Sequence, residues 1–165
     1  MPTIQRIVPC LWFDSQAEEA ATFYVSVFER SRITRVAHYG KEGQEVHGRK
    51  PGSVMTVSFE LDGSPLTALN GGPHFKFNEA ISFQVMCETQ DEIDRYWGKL
   101  SAAGDETAQQ CGWLKDRYGL SWQIVPTVLP ELVGDPDVAK AGRAMRAMLH
   151  MKKLDIAMLK QAHAG

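Results

Sequence analysis

The sequence predicts an α+β fold made of two βαβββ modules followed by a C-terminal helical tail. Three observations predict it. Two capping-box spacings, Ser15-Gln-Ala-Glu18 and Thr89-Gln-Asp-Glu92, each follow a β-branched and aromatic run and open an amphipathic pattern. After each of these patterns the residues turn to strand formers, punctuated by turn signals at Asp62-Gly63 and Asp116-Arg-Tyr-Gly119. From Thr127 onward helix formers take over. These divisions give one domain over residues 1–134, with modules at about 4–72 and 78–127, and a tail over 135–165.

Each element has its own signal. Ile4 to Phe13 reads as a strand broken by Asp14-Ser15, and Ala20, Phe23, Tyr24, Val27 and Phe28 then recur at helical spacing. Ile33 to Tyr39 is strand-like, and Gly40 to Gly52 is a polar loop. In Val54 to Leu61 the residues Met55, Val57, Phe59 and Leu61 alternate with Thr56, Ser58 and Glu60. Leu66 to Leu69 returns as the hairpin partner, ended by Asn70-Gly-Gly-Pro73. The second module repeats this grammar. Ala80 to Cys87 is a strand, Ile93, Tyr96, Trp97 and Leu100 mark a helix closed near Gly104, and Gln109 to Lys115 pairs with Leu120 to Val125. In the tail, Asp135-Pro136 starts a helix whose stripe is Val138, Ala141, Met145, Met148 and Leu149, and Leu154 to Ala162 continues as another. That stripe is expected to pack on the protein's own core or on a second subunit.

Composition narrows the function. The 165 residues are 44% hydrophobic, enough for a buried core, and the net charge of −2 provides no field to attract nucleic acid or an anionic membrane. Three cysteines at wide spacing suit neither a disulfide framework nor a metal pair, which points to a reducing, cytoplasmic setting. The start, Met1-Pro-Thr-Ile-Gln-Arg, has no export signal, and nowhere do about 18 apolar residues run together as a spanning helix requires. A small molecule or a protein is the expected partner, with no nucleic acid and no membrane.

Two stretches carry a family likeness: PCLWFDSQAEEAATFYVSVF, and GGPHFKFNEAISFQV followed by CGWLKDRYGLSWQIVP. Over residues 4 to 127 the chain resembles the PhnB-like branch of the vicinal-oxygen-chelate superfamily, the glyoxalase, bleomycin-resistance and extradiol dioxygenase fold. The elements L-W-F-D, A-x-x-F-Y, C-G-W-x-x-D and G-x-S-W-Q-I-V-P stand in the expected order. The resemblance implies a cup-shaped cavity, often completed in a homodimer. Members of this branch are often labelled 3-demethylubiquinone 3-methyltransferase-like. A methyltransferase of the doubly wound class needs a glycine-rich turn running into a helix, whereas Asn70-Gly-Gly-Pro73 runs into Phe75-Lys-Phe-Asn78, which has no helical pattern.

Metal-using relatives place histidine on the first strand of each module and glutamate on the last. By that resemblance the corresponding positions are Pro9 or Cys10, Thr67 to Asn70, Ala80 to Ser82, and Gln123. None is a histidine or carboxylate, so neither a bound metal nor another cofactor is expected. The five histidines show no i, i+4 pairing, but His74 lies in the loop joining the modules, where such folds open their cavity. Cys10 has no neighbouring base, so nucleophilic catalysis has no support there, and it reads as a small buried core residue that needs no function. By strand parity Gln123 and Ser121 share the cavity side with Ser82 and Ala80, while Trp122 and Ile124 face the helices. Trp12 and Trp113 could line the cavity. The candidate ligand-binding set is therefore Cys10, Trp12, Asn70, His74, Ser82, Trp113, Ser121 and Gln123. It suits a small, mostly apolar molecule with a few polar atoms, held without metal, by sequestration or by an unassigned catalytic step. The rival readings are a metal-dependent lyase, isomerase or dioxygenase with unorthodox ligands, the labelled methyltransferase, and a protein-interaction module built on the methionine-rich tail.

Overall fold

The computed structural model of the chain describes residues 5–165, and the expected strand start at Ile4 lies outside them. The chain divides after Lys76 into two compact units.

The first unit is a complete βαβββ module: β1 (Cys10–Phe13), α1 (Ala17–Val27), β2 (Arg32–His38), β3 (Val54–Leu61) and β4 (Ser64–Asn70), with a one-turn helix α2 (Gln44–His47) inside the expected loop. Its sheet runs β1-β4-β3-β2, with β1 parallel to β4 and the other neighbours antiparallel. The alternation of β3 places Val57, Phe59 and Leu61 on the face that α1 covers. There Ala17, Ala20, Ala21 and Tyr24 are buried, and small residues at those turns let the helix lie close to the sheet. Tyr24 stacks on Phe59, with ring centroids 6.4 Å apart. The β3–β4 hairpin turns through Asp62 and Gly63, both at positive φ (47° and 78°), the pair of left-handed residues that a tight I′ turn demands. Strand β2 is one of the two edges, β1 being the other. Strand β2 is interrupted by two register shifts and carries exposed Arg32, Thr34 and Arg35, features that discourage pairing with a further strand.

The expected capping box at Ser15 does not form. Helix α1 begins at Ala17, with Gln16 at the cap making no side-chain bond to the helix, so Glu18 falls one position too early to reach back. The cap comes from far along the chain: Asn70 Oδ1 accepts the Ala17 N–H at 2.8 Å. The second box forms as expected, with the Thr89 hydroxyl accepting from Glu92 N–H and the Glu92 carboxylate accepting from Thr89 N–H.

The second unit contains β5 (Ser82–Cys87), α3 (Gln90–Ser101), β6 (Trp113–Lys115) and β7 (Ser121–Pro126), in a sheet ordered β5-β7-β6. Again the first and last strands are parallel. The module is shorter than βαβββ: a 3-10 turn at Glu106–Ala108 occupies the place of the strand after the helix. The expected strand from Gln109 is also cut back, because Cys111 and Gly112 adopt left-handed backbone (φ 52° and 84°). Their N–H groups bond to the Met151 and Lys152 carbonyls of the tail at 2.8 Å rather than to a strand.

The tail belongs to this second unit. Helices α4 (Leu129–Val133), α5 (Val138–Leu149) and α6 (Ile156–Ala164) share one core with β7, made of Val125, Leu129, Leu132, Ala144, Leu154 and Leu159. Gln90 fastens the turn before α6, donating to Leu154 O and accepting from Ile156 N–H. Two sequence expectations shift here. Asp137, rather than Asp135-Pro136, caps α5, accepting from Ala139 and Lys140 N–H. The buried side of α5 runs through Ala144 and Met148, leaving Val138, Met145 and Leu149 of the expected stripe exposed, because Ala144 allows the closest approach to the core. No helix among the described residues is long and apolar enough to cross a membrane.

Candidate functional site

Each sheet has one face covered by its own helix and one that is not. In the second unit Phe83, Val85, Cys87, Leu114, Trp122 and Ile124 form the covered face, as parity required. The uncovered face carries Ser82, Gln84, Trp113, Lys115, Ser121 and Gln123, brought side by side by the registers Ser82↔Ser121, Gln84↔Gln123 and Trp113↔Gln123. Four of the eight expected site residues therefore lie on one surface.

Gln123 is the hub of this face. Its amide donates to Ser82 Oγ at 2.8 Å, and its carbonyl oxygen accepts from Gln84 Nε2 at 3.3 Å. Ser121 lies next to it on the strand, is 1% exposed, and its hydroxyl oxygen has no hydrogen-bond partner among the described residues. A buried hydroxyl without a partner carries a free-energy penalty. At the margin Lys115 pairs with Glu79, and this ammonium holds the Glu79 carboxyl below the usual carboxylate range. Sequence reasoning missed Gln84 and Lys115. The same parity that linked Ser82 to Ala80 extends to Gln84, and Gln84 could have been found that way.

Asp116 closes the C-G-W-x-x-D element structurally. It is 2% exposed and accepts from Tyr118 N–H, Leu120 N–H and the Trp122 indole N–H, which locks the β6–β7 turn and orients Trp122 toward the helix face. Gly112 of the same element lies so close to Ile124 O and the Leu154 side chain that any larger residue would collide.

The four expected residues in the first unit are dispersed. Cys10 is exposed, opposite Thr67, so the expectation of a small buried core residue does not hold. Trp12 shares that face but is engaged by its own loop: its indole donates to Gly72 O at 2.8 Å, and Phe75 meets it edge-on at 4.8 Å. Gly71 is pressed on the indole, and a Cβ there would overlap the ring, so this glycine serves packing, while Gly72 is at positive φ (98°). Asn70 lies on the opposite, helix-covered face, where its side chain caps α1 and donates to Val54 O, and its carbonyl accepts from Tyr39 Oη. Asn70 also edges a cavity of about 310 Å³ with Ser15, Glu18, Arg49 and Lys50. His74 is exposed in the loop after β4.

The metal implied by the superfamily can be tested against these donors. In the first unit the strand positions in question, Pro9 or Cys10 and Thr67 to Asn70, and in the second unit Ala80 to Ser82 and Gln123, offer at best a thiol, hydroxyls and amides, which are weak donors for a hard cation. Among the described residues no three His, Cys, Asp or Glu side chains converge. The residues present do not fit the ion.

A family model described as 3-demethylubiquinone-9 3-methyltransferase matches residues 5–125. Among solved structures, a Bacillus cereus PhnB protein that carries the same methyltransferase label is 34% identical, with 74% of this chain and 100% of that one covered and a TM-score of 0.65. A Pseudomonas aeruginosa protein is 19% identical over 75% of this chain and 98% of its own, with a TM-score of 0.57. A glyoxylase/bleomycin resistance protein/dioxygenase domain from Frankia sp. is 12% identical over 75% and 93%, with a TM-score of 0.47. No curated protein matches. With a parallel pairing of first and last strand in each unit, the fold is that of the vicinal-oxygen-chelate superfamily, in its PhnB-like branch. More narrowly, the chain belongs to the 3-demethylubiquinone-9 3-methyltransferase family. The match ends at residue 125, so α4, α5 and α6 lie beyond the shared segment.

Proposed function

We propose that the protein binds a small, largely apolar molecule with a few polar atoms on the uncovered face of β5, β7 and β6, without using a metal ion. The observation that carries this reading is the Ser82–Gln123–Gln84 network beside the unpartnered, buried Ser121 hydroxyl, with the Trp113 indole on the same face. Amide and hydroxyl groups would orient the ligand's polar atoms, and the indole would cover its apolar body. The reading places the protein in the cytoplasm as a homodimer, a setting drawn from its cysteine usage and from the resemblance.

The methyltransferase label is the rival, and the local structure favours it little. The Asn70–Pro73 turn leads into no helix, and its glycine is taken up by Trp12, so no phosphate cradle is formed there. Equilibrium dialysis against a panel of metabolites and antibiotics, run beside S-adenosylmethionine, separates the two. A panel member that binds wild type and is lost in Gln123→Ala supports the proposal. Binding of S-adenosylmethionine alone, or no binder at all, refutes it.

A further inference from the structure

The tail offers a second site, unlike the sheet face in chemistry. Helices α5 and α6 flank an open cleft of about 590 Å³, within the size range of small-molecule sites. Ala147, Met151 and Met158 supply apolar lining, and Arg146 and His150 line it as well. Met158 is 57% exposed, so its thioether is accessible from the cleft. Methionine linings adapt to alkyl chains because the thioether is unbranched and flexible.

Arg143 and Arg146 both line the cleft, and no Asp or Glu side chain does. Arg143 is committed to the structure: its guanidinium donates to the Ala162 and His163 carbonyls at 3.0 and 2.7 Å, which ties α5 to the end of α6 and sets the width of the cleft. Arg146 is exposed and makes no hydrogen bond or ion pair to another described residue, so its fork of donors is available to a carboxylate. The imidazole of His150 can donate an N–H in either protonation state.

We infer that this cleft binds a free single-chain amphiphilic anion, an alkyl carboxylate, with its head on Arg146 and His150 and its chain over Ala147, Met151 and Met158. The test is calorimetric titration of the full chain with sodium decanoate below its micellar concentration. Methyl NMR of the ¹³C-labelled methionines provides the location. The expected result is saturable binding with a dissociation constant on the order of 10–100 μM for a ligand of this size. The Met151 and Met158 methyl signals should shift and that of Met55 should not. Arg146→Glu and Met158→Glu, both at exposed positions, should each weaken binding tenfold or more while keeping the wild-type melting profile, and 1-decanol should bind at least tenfold more weakly than decanoate. Gln123→Ala should bind decanoate as wild type does, so failure here and failure of the sheet-face reading are told apart. Absence of saturation, insensitivity to Arg146→Glu, equal affinity for decanol, or binding to phosphatidylglycerol vesicles without binding to decanoate would each overturn the inference.

Discussion

Asn70 provides the sharpest test of how the first unit is held. The substitution Asn70→Ala removes the acceptor of the Ala17 N–H and the donor to Val54 O at a position only 6% exposed. A lost cap alone destabilises by about 1 kcal/mol, and leaving buried groups without partners adds roughly 1–3 kcal/mol. Taking about 3 kcal/mol and roughly 2–4 °C per kcal/mol for a chain of this size, the melting temperature should fall by about 6–12 °C. Urea titration followed by circular dichroism gives the free energy, and calorimetry gives the temperature. Asn70→Asp should recover only part of the loss, because it keeps the acceptor for Ala17 but faces Val54 O with a carboxylate. Two comparisons sharpen the result: Ser15→Ala should change stability by less than about 0.5 kcal/mol, since no cap bond comes from it, and Thr89→Ala should lower it by about 1 kcal/mol. If Asn70→Ala lost less than about 1 kcal/mol, or Ser15→Ala matched Thr89→Ala, the account of a long-range cap would be wrong.

Three further outcomes are expected. Leu154 is fully buried between the tail and β7, so Leu154→Ala should destabilise by about 2–5 kcal/mol in urea titration; a loss below 1 kcal/mol would mean that the tail does not share the unit's core. The Cys87 thiol is buried and pushed up to about 11, by desolvation first and then by the Glu92 charge, so at pH 8 a thiol reagent should label exposed Cys10 first and reach Cys87 only on unfolding. Prompt labelling of Cys87 in the folded protein would contradict the packing of α3 on β5. The Asp137 N–H, and after it His163, hold the Asp135 carboxyl below its ordinary value. This carboxylate therefore contributes stability above its unfolded value of about 4, and the contribution is lost as pH falls through the lowered folded value. Asp135→Asn should flatten the acid limb of the stability curve, and an unchanged limb would show that the contact with His163 is immaterial.

What could be read from residue order was whatever depends on near neighbours. The alternation of Val54 to Leu61, the Asp62-Gly63 turn and the Thr89 box each satisfy their requirements within a few residues, and all three formed as expected. Parity along single strands likewise put Ser121 and Gln123 together, because a strand's alternation is local. Decisions between distant segments were made by the tertiary structure. Asn70 displaced Ser15 as the cap of α1, since a buried amide 53 residues away offers the Ala17 N–H a dry, fixed acceptor. The tail carbonyls of Met151 and Lys152 took the N–H groups that would have extended β6 and shortened the second module. Gly71, which reads in sequence as turn chemistry, is required by the face of Trp12. In the first two cases a group far along the chain took the place of the expected partner, and the winner was the one the packed fold held in place without further loss of chain entropy.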